Sequence, residues 1–175
     1  MNTSPPVLAP GILTRPNLVG SFGMAASTHW VSTAVAQSVL ERGGNAYDAV
    51  VAAGLVMHVV EPHLNGPGGD LVALIAPAGR KVAVVGGQGP APRNASLEHY
   101  RSLGLESVPG AGALAAAVPA AFEAWLWILR EHGTWDIADV LDYVIHYAEV
   151  GQPIGVQAAG VIETMAEHFV EHWPT

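Results

Sequence analysis

The stretch from Leu40 to Asp70, L-E-R-G-G-N-A-Y-D-A-V-V-A-A-G-L-V-M-H-V-V-E-P-H-L-N-G-P-G-G-D, constrains the fold more than any other part of the chain. Gly43-Gly44 closes one helix, with Gly43 suited to the C′ position. Asn45 has an N-cap side chain for the next helix, and Asp48 falls near its positive end. From Ala49 to Val60 only Gly54 and His58 interrupt the aliphatics. A helix that is apolar on every side belongs inside, so this one is predicted as an inner layer. It stops at Glu61-Pro62 and leads into the loop Asn65-Gly66-Pro67-Gly68-Gly69-Asp70, where glycine permits backbone dihedrals and close approaches denied to other residues.

The flanking sequence supplies the other elements. Residues 1–21 read as an extended, Pro-rich lead-in and 22–175 as one domain portion. Phe22 to Ser27 suits a short strand, with Thr28 as cap of a helix whose Val31, Ala34, Val35, Ser38 and Val39 share a face. Leu71 to Ile75 and Lys81 to Val85 flank Ala-Pro-Ala-Gly-Arg, a hairpin pattern. The loop Gly86-Gly87-Gln88-Gly89-Pro90-Ala91-Pro92 follows, then a short helix capped by Ser96 or Asn94 and ending at Leu103. Leu114 to Val118 suits a strand of small residues. Pro119 opens a helix to His132, stopped by Gly133. Thr134 is the expected cap of a helix with Ile137, Leu141, Val144, Ile145 and Ala148 on one face, and a last helix spans Val156 to His172. The pattern is α/β, with strand pairs between helices.

Composition excludes several partners. The formal net charge is −8, with seven Lys and Arg among 175 residues, and no basic stripe follows a phosphate backbone. Nucleic acid is not an expected partner, and an acidic surface disfavours anionic membranes. The apolar run Ala49 to Val60 is shorter than the roughly 20 residues that span a bilayer. Cysteine is absent, which excludes disulfides, thiolate metal sites and a Cys nucleophile. The first residues lack a basic start and an uninterrupted apolar run, so the sequence predicts a cytoplasmic protein.

Several motifs bear on chemistry. The loop Asn65 to Asp70 has the glycines of a phosphate cradle, but it follows a helix and precedes a strand, the reverse of the nucleotide-binding order. A tight structural crossover is the plainer reading. His168-Phe169-Val170-Glu171-His172 matches the H-x-x-E-H pattern of inverted zinc peptidases, with two ligands one turn apart and Glu171 as base. A third ligand would have to come from upstream, from Glu163 or Glu167; a solvated polar helix face is the plainer account of the pattern. His58 is expected as a core histidine with one backbone partner, and no metal is called for at His58, Glu61 and His63. No G-x-S-x-G elbow occurs, and Trp125, Trp127 and Trp135 are expected in packing roles.

Gly23-Met24-Ala25-Ala26-Ser27, Gly43-Gly44-Asn45-Ala46-Tyr47-Asp48-Ala49, Val60-Glu61-Pro62-His63, Gly66-Pro67-Gly68-Gly69, Ala91-Pro92 and Ala117-Val118-Pro119 occur in an order and spacing that resemble the start of the large subunit of gamma-glutamyltransferases. The resemblance covers about Gly23 to Ile154. It implies part of a four-layer αββα N-terminal-nucleophile hydrolase that cleaves itself before an internal Thr. That Thr acts in acyl transfer from gamma-glutamyl or related side-chain amides, glutathione-type substrates included, without a cofactor. It lies outside the matching region and its Thr-Thr context is absent here, so no catalytic residue is assigned to this chain. The implied partner is the small-subunit portion of the same precursor.

This chain departs from the family at one informative position. Where gamma-glutamyl enzymes carry an Arg that holds the substrate α-carboxylate, the matching residue is Gln88, which is neutral and cannot form that charge-assisted pair. The resemblance therefore implies Gln88 as a substrate-binding residue, with Gly66, Gly68, Gly69 and Asp70 as the loop near the pocket. It also points to an acylase-like member, a reading shared by the Gly69-Asp70 loop ending. The zinc peptidase on His168 and His172 and a non-catalytic helical interaction domain stand as alternatives.

Overall fold

The computed structural model describes residues 18–172, so part of the expected lead-in lies outside the described residues. Two helices form the centre. α1 (Trp30–Glu41) buries Val31, Ser32, Val35, Ala36 and Val39. α2 (Ala46–Val60) is buried over most of its surface, including Val51, Ala52, Leu55 and Val56. The inner-layer expectation for this apolar helix therefore holds. Ser32, inside the α1–α2 contact, satisfies its hydroxyl by donating to the Ala53 carbonyl at 3.0 Å.

The junction between these helices is fixed by local polar chemistry. Arg42 is the C-cap of α1, and Gly43 takes φ 90°, the left-handed conformation that glycine adopts without a Cβ penalty. Asn45 then accepts from the Tyr47 and Asp48 amides, while the Asp48 carboxylate accepts from the Asn45 N–H, a complete capping box. Gly54 matters for a different reason. A Cβ there would lie 2.6 Å from the Trp125 ring, so its bare surface lets α4 (Ala121–His132) approach α2. α5 (Ile137–Val150) packs on α2 as well.

The hairpin forms as expected. β1 (Val72–Ile75) and β2 (Ala83–Gly86) pair antiparallel with Val72 opposite Gly86 and Ile75 opposite Ala83. Its inner face, Ile75 with the half-buried Ala73 and Val85, joins the helical core; Val72, Leu74 and Val84 are exposed on the other. α3 (Leu97–Ser102) is capped by Ser96, whose hydroxyl accepts from the His99 amide. α6 (Val156–His172) has the predicted bounds.

Five local expectations are corrected. Phe22 to Ser27 is not a strand. The α1 cap is His29, whose ring nitrogen accepts from Val31; Thr28 instead donates its hydroxyl to Glu61 beyond α2. Ala34 is exposed, because Ser32 and Ala36 complete the buried face. Leu114 to Val118 holds a 3-10 turn, Ala113–Ala115, and then runs extended, its Val118 N–H donating to the Pro90 carbonyl at 3.0 Å. The α5 cap is Asp136, not Thr134; of the expected face Leu141 and Val144 pack against the core, joined by Val140, Tyr143 and Tyr147, while Ile137, Ile145 and Ala148 are exposed. Thr134 is taken from capping by Asp48, which binds both its N–H and its hydroxyl.

Candidate active-site wall at the hairpin base

The hairpin register decides where the site residues stand. Past the Val72–Gly86 pair, Leu71 and Gly87 exchange two backbone hydrogen bonds, Leu71 N–H to Gly87 oxygen at 3.1 Å and the reverse at 2.6 Å. The next residues outward are Asp70 and Gln88. Both are exposed, and Gln88 Nε2 donates to Asp70 Oδ2 at 3.5 Å. The end of the first glycine loop and the start of the second are thus brought side by side, although 18 residues separate them.

The strand end is held tightly against α4. A Cβ on Gly87 would lie 2.6 Å from the Ala124 Cβ, so only glycine lets β2 leave the sheet along this line. Gly89 has φ 69°, and its missing side chain points at the Val118 carbonyl. A groove of about 370 Å³ runs between Gly86-Gly87 and the first turns of α4, where Glu123 and Trp127 line it. These two residues stand four apart on one helix face. That spacing is visible in the sequence, but it points to a site only once the hairpin is seen beside it. A larger cavity, about 1230 Å³, lies between residues 18–28 and α1, away from Asp70 and Gln88.

Gly66, Gly68 and Gly69 contribute differently from the expectation. Their φ angles are not in the left-handed region, and a Cβ on Gly66 or Gly68 would meet nothing within 4 Å. Here glycine leaves the backbone open instead of enabling a strained conformation. The loop follows α2 and precedes β1, as the crossover reading requires. Asn65 anchors it, donating its side-chain amide to the Gly54 carbonyl at 3.3 Å.

Among the described residues two ionisable groups are perturbed, Asp48 in the first turn of α2 and His58 near its end. Burial acts first on Asp48 and raises its pKa, but hydrogen bonds from the Thr134 hydroxyl and the Trp135, Asn45 and Thr134 amides outweigh it and hold the carboxyl below 3.8. Burial lowers the His58 pKa below 6.5. His58 Nε2 is enclosed without a hydrogen-bond partner, so the expected backbone partner is not there, and His63 Nδ1 is likewise unpartnered. Among the described residues no group of three His, Asp or Glu side chains could hold a metal ion. His168 lies on α6, and the side chain of His172 lies outside the described residues. Trp125 packs on Gly54, as expected of a core residue; Trp135 packs against the core and lies 4.7 Å beneath the Arg42 guanidinium. No described helix is long and apolar enough to cross a membrane.

Comparison with known proteins agrees with this architecture. The chain is 34% identical over 140 residues to the glutathione hydrolase-like YwrD proenzyme of Bacillus subtilis, covering 79% of this chain and 26% of the relative. It is 36% identical over 142 residues to the acylase ACY 1 proenzyme of Pseudomonas sp. strain SE83, covering 75% and 25%. The solved structure of LmbA2991 T421A superposes with a TM-score of 0.87 at 55% identity, over 91% of this chain and 27% of that one. Gamma-glutamyltranspeptidase and cephalosporin acylase structures share the fold, which makes the described chain a partial N-terminal-nucleophile hydrolase fold. The chain spans about a quarter of the length of the curated relatives it matches. The gamma-glutamyltranspeptidase family model matches residues 32–175, and this chain belongs to that family.

Proposed function

We propose that this chain forms one wall of an amide-cleaving acyl-transfer enzyme whose attacking threonine hydroxyl comes from a small-subunit segment of the same precursor. Family membership and the proenzyme character of its relatives support that reading. The single observation that carries the pocket assignment is the hairpin register, which sets Gln88 against Asp70 beside the groove at α4.

In this reading Gln88 faces the acyl group of the donor. Its carboxamide offers one acceptor and two donors but no charge, and one donor is turned toward Asp70 in a long contact. An α-carboxylate arriving there would meet the Asp70 carboxylate with no guanidinium to offset it. The pocket therefore suits side-chain amides whose acyl end is neutral or less anionic than gamma-glutamyl, the acylase-like branch. Family membership gives no support to a zinc peptidase or a freestanding helical module. The test is an amidase assay on the chain together with its small-subunit segment. One chromogenic anilide carries a gamma-glutamyl group and its match lacks the α-carboxylate. Faster turnover of the second is expected; a clear preference for gamma-glutamyl would overturn the assignment.

A further inference from the structure

We infer that Asn65 is a site of spontaneous, structure-permitted deamidation, a covalent change that loosens the glycine loop from α2. Asn65 is followed by Gly66, the one Asn-Gly pair in the sequence. The pair joins two turns. One is closed by the Leu64 and Asn65 amides on the Glu61 carbonyl, and the other by the Gly69 amide on the Gly66 carbonyl. The Gly66 N–H itself has no acceptor among the described residues, so no hydrogen bond has to break before that nitrogen reacts. Asn65 and Gly66 are half-buried, and the space where a Gly66 Cβ would stand is empty to 4 Å.

The step balances within the chain and water. The Gly66 backbone nitrogen loses its proton and attacks Asn65 Cγ, forming a five-membered succinimide. The Cγ–Nδ2 bond breaks, and ammonia leaves with the proton. Water then opens either imide carbonyl, giving aspartate or isoaspartate at position 65. The nucleophile is the deprotonated amide, so the rate rises with pH. The restraint on the reaction is the hydrogen bond from Asn65 Nδ2 to the Gly54 carbonyl, which at 3.3 Å is long for an N–H···O bond.

The product differs where it matters. The donor to Gly54 is replaced by a carboxylate that repels that carbonyl, beside Glu61, and the isoaspartate form inserts a methylene into the main chain of the loop. The span from Gly66 to Asp70 would then shift against the hairpin base. Asn94-Ala95 is the internal reference, since Asn94 is exposed and its next residue carries a Cβ.

The folded full chain is incubated at mildly alkaline pH in ¹⁸O-water, digested, and mapped by mass spectrometry. Asn65 is expected to convert severalfold faster than Asn94, with label incorporated and both aspartyl isomers present. Gly66→Ala, which meets no neighbour in the fold, is expected to bring Asn65 down to the Asn94 rate. Conversion of Asn65 only after addition of urea, or at the Asn94 rate in the folded wild type, would overturn the inference. An unchanged rate in Gly66→Ala would do the same.

Discussion

Asp48 engages both carboxylate oxygens. It receives the Asn45 N–H at 2.7 Å, the Thr134 N–H at 2.8 Å and hydroxyl at 2.7 Å, and the Trp135 N–H at 3.1 Å, tying the start of α2 to the turn before α5. Hydrogen bonds to a charged acceptor are the stronger kind, and removing the acceptor strands buried donors. Asp48→Ala should therefore cost about 2–4 kcal/mol, read from the urea midpoint. The pH dependence follows from the directions of the two shifts. Asp48 has a lowered pKa, so its contribution is present above 3.8 and is lost as pH falls through the folded value. His58 is also lowered, so the unfolded chain binds its proton first and stability falls as pH drops below 6.5. Thermal melts across pH 7.5 to 3 should show both losses, and His58→Leu should remove the upper one only. A chain that gains stability on acidification through pH 6 would contradict this.

Elements in this chain meet where side chains are missing. Gly54 in the middle of α2 is an unfavourable helix residue by about 1 kcal/mol relative to alanine. Trp125 of α4 occupies the space a methyl would need, so Gly54→Ala should lose about 1–3 kcal/mol through overpacking despite its better propensity. Combining it with Trp125→Phe should cost less than the sum of the two changes, which a double-mutant cycle measures. This contact shows what was legible in advance. The existence of α2, its cap, its burial and the hairpin follow from local pattern, because apolar periodicity and the Asn45–Asp48 box act within a few residues. The side chain that would exploit Gly54 lies 71 residues on, and nothing in the local pattern of either segment names the other. The same distance problem explains Thr134: its spacing suits a cap, but Asp48, 86 residues earlier, claims it. The resemblance names Gln88 and the loop, whereas the adjacency of Gln88 to Asp70 shows only in the hairpin register.

At the scale of the whole molecule, an apolar sheet face is open to solvent. Val72, Leu74 and Val84 are 64%, 74% and 71% exposed on one face of the hairpin, and a strand with unpaired edges and such a face invites association. The chain expressed alone should self-associate, and Leu74→Lys with Val84→Lys should shift its sedimentation toward monomer while leaving its helical circular dichroism intact. Persistence of the aggregates in that double variant would locate the cause elsewhere. Function at this scale rests on one assignment, that Gln88 meets the acyl donor where a guanidinium would otherwise hold an α-carboxylate. The direct measurement is kcat/KM of Gln88→Arg, assembled with its small-subunit segment, on matched anilides with and without that carboxylate. The ratio should move toward the carboxylate-bearing donor by about tenfold or more, the effect of a charge-assisted pair of at least about 1.4 kcal/mol. An unchanged ratio in a folded, active variant would contradict the account.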